Sequence, residues 1–427
     1  MKVLLINTYL HGGGAAVACR RLLEALRGVG VDARMLVAAP ADGVEDKYIT
    51  SFYQGFWGKL RWKTAFFSER LMLLPHVGYD RSRLFKFSPE DSGTDISHHP
   101  WVEWADIIHV HWVQHGFLSL RGLDAIMRTG KPVFWTLHDL WPITGGCHIP
   151  YYTHQGQTRC CEKSSSHCGD CPMLSTQDKN DLAWRQFERK SLLPYSDIHF
   201  LAVSQDVASK VSSSGLASSA RVSVVPNMID TSIFYPRVGE GSSCFQMLFV
   251  AARPDDPIKG LELCKEALIK VCEISSDFAQ KATFVCVGTP KSPHALEDFP
   301  VSVKSLGNIS SPDQLASLYS SSRVTLSTSL FETFGQTILE SISCGTPVLA
   351  FRVGGVPDII REDASGILIP PYDTTAMAQA LVRLSDTPDL LGDREHISAT
   401  AAPFHSDAVA AQVRELYRLA LESRAER

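Results

Sequence analysis

The sequence predicts an α/β protein made of two doubly wound domains, each with a parallel sheet between layers of helices. Its 427 residues exceed what one ordinary hydrophobic core accommodates, which indicates two domains. Short apolar runs of strand length alternate with helical patterns in both halves of the chain, as in repeated β-α-β units. Several runs are followed by glycines or cations, and ligands of open α/β sheets bind at such strand ends.

The order of these patterns predicts the domain boundaries. A first domain is expected over 1–225 and a second over 244–405, with a hinge and linker at 226–243 that is rich in proline, glycine and serine. Within the first domain, residues 145–174 show no hydrophobic periodicity and contain five cysteines, which indicates an insert. Residues 406–427 have a helical pattern and are expected to form a terminal helix.

The composition excludes several classes of protein. The formal net charge of −5 argues against general nucleic-acid binding. No apolar run approaches the roughly 20 residues that a membrane-spanning helix requires, and the first ten residues predict a strand rather than a signal peptide. The 11 cysteines are odd in number and mostly scattered through apolar segments, as expected of reduced thiols. We therefore expect a cytoplasmic protein without nucleic-acid partners.

The chain opens with a strand, a glycine-rich loop and a helix. The apolar run KVLLIN at 2–7 is typical of a buried strand, and the glycines at 12–14 precede a helical pattern. A strand, a loop containing Gly13 and Gly14, and a helix form a unit of the kind that cradles phosphates. Val17 stands where the third glycine of a Gly-x-Gly-x-x-Gly motif belongs, so a dinucleotide-dependent oxidoreductase is a poor fit.

Residues 54–75 combine apolar, aromatic and basic side chains at helical spacing. The apolar positions are Phe56, Leu60, Phe67, Leu71 and Leu74, and the basic ones are Lys59, Arg61, Lys63 and Arg70. A basic amphipathic helix with aromatic residues is typical of a peripheral contact with a membrane surface. A helix that packs on its own domain with a solvated basic face would give the same pattern, so both interpretations stay open.

Histidines lie at the ends of two predicted strands of the first domain. His109 and His111 in ADIIHVHWV point to the same face of a strand, and no third ligand for a metal is evident beside them. They are therefore expected to line a cleft or to be hydrogen-bonded in the core. His138 follows the buried strand of PVFWTLHDLWP, at the end where ligands bind.

The cysteine-rich insert predicts a structural zinc site. Cys168 and Cys171 form a Cys-x-x-Cys pair, and with Cys147 and Cys161 they provide the four thiolates of a tetrahedral site. Cys160 and His148 are alternative ligands. A set of free thiols, or a disulfide in an oxidising compartment, is the competing interpretation.

A pair of cations follows the first strand of the second domain. This strand is expected to end at Ala252, and Arg253 and Lys259 flank the loop after it. A guanidinium fork and an ammonium at the carboxyl end of a strand suit a diphosphate. Either cation alone would more simply be a surface residue on a turn.

The segment ETFGQTILE begins another helix near a ligand site. Thr333 and Gln336 have the spacing of a capping box, which predicts a helix that begins near Phe334 and ends at Gly345. The first turn would leave backbone N–H groups open to a phosphate, and these belong to Gly335, Gln336 and Thr337. Glu332 in the preceding loop and Glu340 on the helix would flank this position and accept hydrogen bonds from sugar hydroxyls.

These motifs together resemble the family-four retaining glycosyltransferases of the GT-B architecture. The segments that carry the resemblance occur in the family's order, namely VPNMIDTSIFYP, ETFGQTILE, SCGTPVLAF, GGVPDII and GILIPPYD. The resemblance implies transfer of a sugar, with retention, from a nucleoside diphosphate sugar to a hydroxyl acceptor, without a catalytic metal. It also implies a role in bacterial surface polysaccharide synthesis, a saccharide or lipid-linked saccharide acceptor, and a last helix that packs across both domains.

The resemblance assigns roles to the candidate residues. His138, Arg253, Lys259 and Glu332 form the catalytic set: the cations hold the diphosphate and assist its departure, and His138 and Glu332 contact the donor sugar. Ala252 replaces a glycine of the family pattern. The donor-binding residues are Gly13, Gly14, Phe334, Gly335, Gln336, Thr337 and Glu340, the last of these at the ribose. His111 lies on the acceptor side, and the family's spacing before the Cys-x-x-Cys pair favours Cys161 over Cys160.

Two alternatives remain at this point. Another GT-B enzyme, such as a sugar-nucleotide epimerase, would bind the same donor and differ in its product. A non-catalytic sugar-binding module would be expected to lack some of Arg253, Lys259 and Glu332, all of which are present. The nucleotide base, the sugar and the acceptor are not encoded in any motif of the chain.

Overall fold

The computed structural model describes residues 1–38, 46–154, 157–176, 178–237, 244–387 and 389–426. Part of the predicted linker, 238–243, lies outside these described residues. The chain forms two compact units. Unit 1 comprises Met1–His154, Arg159–Met228 and Ser406–Arg427, and unit 2 comprises Ile229–His405 with a short segment around Thr158.

Unit 1 is built on a parallel sheet of seven strands in the order β3-β2-β1-β4-β5-β8-β9. The strands are β1 (Lys2–Asn7), β2 (Asp32–Val37), β3 (Ile49–Ser51), β4 (Ile107–Val110), β5 (Val133–Leu137), β8 (Ile198–Ala202) and β9 (Arg221–Val224). The central strands β1, β4 and β5 are apolar and almost fully buried, as strands covered on both faces should be. A separate two-stranded sheet in the insert pairs β6 (Tyr151–His154) with β7 (Gln157–Cys160).

Helices cover the sheet of unit 1. They are α1 (Gly14–Gly28), α2 (Gly55–Leu73), α3 (Pro100–Trp104), α4 (Leu120–Met127), α5 (Leu182–Lys190), α6 (Gln205–Ser212) and α14 (Ser406–Ala425). Leu22, Leu23 and Leu26 of α1 pack with Val413 and Tyr417 of α14 in one buried cluster. Ser204 caps α6, since its hydroxyl accepts from the N–H of Val207.

Unit 2 has a second parallel sheet, with six strands in the order β12-β11-β10-β13-β14-β15. The strands are β10 (Phe245–Val250), β11 (Ala282–Val287), β12 (Ser302–Ser305), β13 (Val324–Ser327), β14 (Val348–Phe351) and β15 (Gly366–Ile369). The helices are α7 (Leu261–Ile274), α8 (Phe278–Lys281), α9 (Pro312–Ser321), α10 (Gln336–Ser343), α11 (Val356–Ile359), α12 (Thr374–Asp386) and α13 (Arg394–Ala399). The predicted fold class, two doubly wound parallel sheets, is therefore confirmed.

Helix α2 forms where predicted, but its expected amphipathicity is wrong. Its buried residues are Glu69, Arg70 and Leu73, whereas Phe56 and Trp57 are exposed. The charged pair is buried because the Arg70 guanidinium binds Glu69 and also donates to the carbonyl of Phe87. The spacing of apolar residues along the helix could not reveal that Glu69 and Arg70 are buried. Among the described residues, no helix is long and apolar enough to cross a membrane.

Candidate active site

Three loops meet at the carboxyl edge of the unit 2 sheet. The loop after β13 is joined to the loop after β10 by the hydrogen bond from Leu330 N–H to the Ile258 carbonyl, 2.7 Å. It is joined to the loop after β14 by the bond from Gly355 N–H to the Glu332 carbonyl, 2.9 Å. Gly354 has φ +50°, and a Cβ there would overlap the Glu332 carbonyl oxygen. The position of Glu332 therefore depends on a glycine at 354.

The two predicted cations lie in this region, and each has a carboxylate partner. Lys259 Nζ is 2.5 Å from Glu332 Oε1, although 73 residues separate them in sequence. The Arg253 guanidinium pairs with Asp256. Lys259 and Glu332 are both partly exposed, so a ligand can reach them. A bound diphosphate would compete with the two carboxylates for these cations.

The N-terminus of α10 differs from the prediction. The helix begins at Gln336 rather than near Phe334, and the Thr333–Gln336 capping box is wrong because the N-cap is Gly335 in the left-handed region, φ +115°, without a side-chain cap. The first turn still leaves backbone N–H groups without intrahelical acceptors. The side-chain nitrogen of Gln336 is also buried without a hydrogen-bond partner in the described part of the chain. These donors are available to an anion or a hydroxyl.

The remaining donor-side candidates differ in accessibility. Glu340 is 7% exposed, and the hydroxyl of the buried Tyr319 donates to its carboxylate at 3.5 Å. Phe334 is buried and packs edge-on against Phe404, so its ring is closed to ligands in this structure. The side chain of Glu332 is 20% exposed, which makes it the more accessible of the two acids.

A chain of histidines runs to the carboxyl edge of the unit 1 sheet. His109 is bonded at Nδ1 to the Tyr417 hydroxyl, 2.5 Å, and at Nε2 to the Thr136 hydroxyl, 2.7 Å. Its ring lies 4.3 Å from that of His111, whose Nδ1 is 2.9 Å from His138 Nε2. His109 and His111 are thus core histidines: His111 contacts His138 directly, and His109 packs against His111.

Burial keeps these histidines neutral. Burial lowers the pKa of His109 to about 3 and that of His138 to about 4, and it lowers the pKa of His111 well below the ordinary value. Repulsion from neighbouring histidines adds to the effect at His109 and His111. At neutral pH His138 is therefore a neutral imidazole, which suits orientation of a ligand rather than proton donation.

The glycine-rich loop lies at the same edge of unit 1. Gly12 and Gly13 both have φ +82°, and Gly14 is the first residue of α1. All three are exposed, and nothing lies within 4 Å of where a Cβ would stand. The conformation of Gly13 requires glycine, whereas at Gly14 a side chain would fill only open space.

Sequence reasoning missed an aromatic cluster at this edge. Tyr9 follows β1, and its hydroxyl is 3.0 Å from His115 Nδ1. Around these two residues lie Trp62, Phe66, Phe85 and Trp112, with ring centroids 4.6–6.0 Å from Tyr9 or His115. Tyr9 and Trp112 each lie two residues after a strand, β1 and β4, so their positions could have revealed them. Trp62 and Phe66 could not be found in this way, because α2 presents them from a distant part of the sequence.

The cysteine insert brings the predicted zinc ligands near one another. The N–H of Gly145 donates to Cys168 Sγ at 3.1 Å, and Cys161 and Cys171 line one cavity. Burial raises the pKa of the Cys147 thiol well above its usual range, and thiolate charge on Cys168, Cys171 and Cys161 would raise it further. Yet no group of three or more potential ligands within the described residues is arranged to hold a metal. Zinc binding therefore stays a prediction.

This prediction can be tested by elemental analysis of protein purified without a histidine tag. We expect about one equivalent of zinc, because four thiolates form a closed tetrahedral site. Cys168→Ser/Cys171→Ser should contain none, whereas Cys244→Ser/Cys272→Ser, which removes two thiols of unit 2, should match the wild type. Less than about a tenth of an equivalent in the wild type would refute zinc binding.

The protein has two Rossmann-like parallel sheets, and in unit 2 two cations lie near a helix N-terminus. These features define a protein of the GT-B architecture. The sequence matches the family described as Glycosyltransferase Family 4 over residues 12–233 and that described as Glycosyl transferases group 1 over residues 245–387. The first match alone covers more than half of the chain. The protein therefore belongs to glycosyltransferase family four, and the resemblance is confirmed.

Similar proteins agree with this assignment. The D-inositol 3-phosphate glycosyltransferase of Acidothermus cellulolyticus is 32% identical over 225 residues, which cover 48% of this chain and 49% of that protein. The chain thus spans about half the length of the curated relatives it matches.

Solved structures with low sequence identity support the fold. Sucrose-phosphate synthase from Thermosynechococcus elongatus has a TM-score of 0.68 at 18% identity, over 99% of both chains. HepE of Anabaena, in complex with UDP and glucose, has a TM-score of 0.59 at 16% identity, over 97% of this chain and 99% of that chain.

Proposed function

We propose that the protein transfers a sugar, with retention, from a nucleoside diphosphate sugar to a hydroxyl acceptor. The observation that carries the proposal is the Lys259–Glu332 pair. Glu332 lies in the loop that precedes α10, and the first backbone N–H groups of this helix have no intrahelical acceptors. A cation and a helix N-terminus are the two elements that stabilise a departing diphosphate. Membership of glycosyltransferase family four and the UDP complex of HepE support a nucleotide-sugar donor.

The residues then take separate roles. The bond between the anomeric carbon and the diphosphate oxygen breaks, a bond from the acceptor oxygen forms, and the acceptor proton leaves with the diphosphate. Lys259 and Arg253 bind the charge that grows on the leaving group, which releases Glu332 to accept from the donor sugar. Glu340 accepts from ribose hydroxyls. His138 orients the sugar as a neutral imidazole, and catalysis needs no metal.

A nucleotide-sugar screen tests this proposal. UDP-, GDP- and dTDP-sugars are titrated into the wild-type protein, and the best donor is then incubated with candidate acceptors. We expect one base to bind selectively and its nucleoside diphosphate to be released on transfer. Binding without any reaction would favour a binding module, and isomerisation of the bound sugar would favour an epimerase. Absence of binding by all of these donors would contradict the proposal.

We further propose that the acceptor is a lipid-linked saccharide of surface polysaccharide synthesis and that α2 contacts an anionic membrane surface. Trp57 is 76% exposed and Phe56 73%, and other exposed apolar side chains follow along α2 at Leu60, Phe67, Leu71 and Met72. Arg61 and Lys63 are also exposed. Exposed aromatic residues together with cations match an anionic lipid surface, where the rings enter the interface and the cations meet the headgroups.

Vesicle sedimentation tests the membrane contact. Lys59→Glu/Arg61→Glu/Lys63→Glu should bind anionic vesicles at least about 100-fold more weakly, since each cation contributes about 1 kcal/mol at such a surface. Lys179→Glu/Lys291→Glu/Lys304→Glu makes the same change of charge elsewhere and should bind like the wild type. Equal binding of both variants, or no binding of the wild type, would contradict the proposal.

A further inference from the structure

Unit 1 contains a second cavity at the opposite, amino-terminal edge of its sheet. The cavity has a volume of about 270 Å³, close to the lower limit for small-molecule sites. It is bounded by the starts of β5, β8 and β9 and by the last turn of α14. None of the candidate donor or acceptor residues lines it.

Three cations and one acid line this cavity. The cations are Lys131, Arg221 and Arg424, and the acid is Asp197. Their formal charges sum to +2, although the whole chain carries −5. The lining thus concentrates positive charge within an acidic protein.

The two arginines have unused donors. The guanidinium groups of Arg221 and Arg424 make no hydrogen bond or ion pair with any residue that the structure describes. Arg424 Nη2 lies near Gly130, 3.8 Å from where a Cβ of that residue would stand. Each guanidinium provides a planar set of N–H donors suited to oxyanions.

Lys131 adds positive charge to the cavity, but its ammonium donors are already used in hydrogen bonds. Its Nζ donates to the carbonyls of Val102, Glu103 and Ala105 at 2.6–2.7 Å, which fixes the ammonium in place. Burial lowers the pKa of Lys131, and repulsion from Arg424 lowers it further against the opposing effects of Asp106 and Glu103. The repulsion shows that the cations act on one another, and an anion between them would relieve it.

His199 forms an uncharged part of the cavity wall. His199 stacks on Phe134 with ring centroids 5.0 Å apart, and its Nε2 is 2.8 Å from the Ser223 hydroxyl. Burial, with repulsion from Arg221, lowers the pKa of His199 to about 4, so it is a neutral wall at physiological pH.

From these observations we infer that this cavity is a binding site for a small phosphate-bearing anion, separate from the donor site. A phosphate monoester carries a charge of about −1.5 to −2 at neutral pH, which matches the formal charge of the lining. Its oxygens can accept from both guanidinium groups at once. Because Arg424 belongs to the last turn of α14, binding would also hold this turn against the sheet.

Calorimetric titration with inorganic phosphate and with glycerol phosphate, at constant ionic strength, tests the inference. Arg221→Gln/Arg424→Gln should weaken binding about 100-fold, on the basis of about tenfold for each lost guanidinium. Arg20→Gln/Arg418→Gln removes two arginines of the same unit away from the cavity and should bind like the wild type. Binding of both ligands indicates recognition of the phosphoryl group alone, and tighter binding of the ester indicates an organic phosphate.

A further variant separates this cavity from the donor site. Arg253→Gln/Lys259→Gln removes the proposed diphosphate site, and phosphate binding should persist in it. Absence of binding in the wild type, or unchanged binding in Arg221→Gln/Arg424→Gln, would overturn the inference. If Arg253→Gln/Lys259→Gln abolished binding, the phosphate would occupy the donor site instead, which also overturns it. No step measures sugar transfer, so the result is independent of the proposed function.

Discussion

Replacing Lys259 with alanine should lower kcat by roughly 10²–10³, the usual effect of losing one preorganised electrostatic group. Lys259 is the cation that Glu332 holds at 2.5 Å at the carboxyl edge of the unit 2 sheet. In the proposed reaction it neutralises charge that increases as the diphosphate leaves. Its contribution is therefore larger in the transition state than in the ground state, and such a contribution appears in kcat.

Glu340 provides the contrast for this experiment. It is nearly buried on α10 and is assigned to the ribose, which changes little during the reaction. Glu340→Ala should therefore mainly raise KM for the donor. Glu332→Ala should affect both constants, because contacts to the sugar also position the anomeric carbon. Near-normal kcat in Lys259→Ala together with lost kcat in Glu340→Ala would show that the two roles are wrongly assigned.

The second large effect is expected at Gly354, which carries no functional group. A Cβ at this position would overlap the Glu332 carbonyl oxygen, and φ is +50°. Gly354→Ala should therefore displace Glu332 and lower kcat/KM by about 10² or more, the scale associated with a shift of about 1 Å in an active site. Steady-state kinetics with the identified donor measures this effect.

A second glycine variant separates displacement of Glu332 from backbone strain. Gly307 of unit 2 also has a left-handed backbone, φ +61°, but a Cβ there would meet nothing within 4 Å. Gly307→Ala should lower thermal stability through strain alone and keep kcat/KM near the wild-type value. Equal losses of activity in both variants would show that general strain, and not the position of Glu332, is responsible.

The sequence predicts the fold and the separate parts of the site, but not how those parts pair. Apolar strand runs and helical spacing suffice for two parallel sheets, because burial on both faces leaves a clear pattern. The pairing of Lys259 with Glu332 depends on two loops brought together across 73 residues, which local patterns do not encode. The capping box failed because a left-handed glycine at 335 supplied the turn without a side-chain cap.

Helix α2 is a second case in which local sequence patterns do not predict tertiary contacts. Its spacing left packing on the domain and exposure at a membrane surface both open, and in the structure Glu69 and Arg70 are buried while Trp57 is exposed. The buried pair is stable there because each charge finds its partner and Arg70 also reaches backbone carbonyls. Such compensation depends on tertiary contacts, so the periodicity of a single helix cannot predict it.

The most direct test of the central claim is the NMR spectrum of the product formed from the best-binding nucleotide sugar and its acceptor. We expect a new glycoside whose anomeric proton coupling shows the same configuration as the donor, with one nucleoside diphosphate released for each sugar transferred. Arg253→Gln/Lys259→Gln should form almost none. A product of inverted configuration, or an isomerised nucleotide sugar without release of nucleoside diphosphate, would contradict the account.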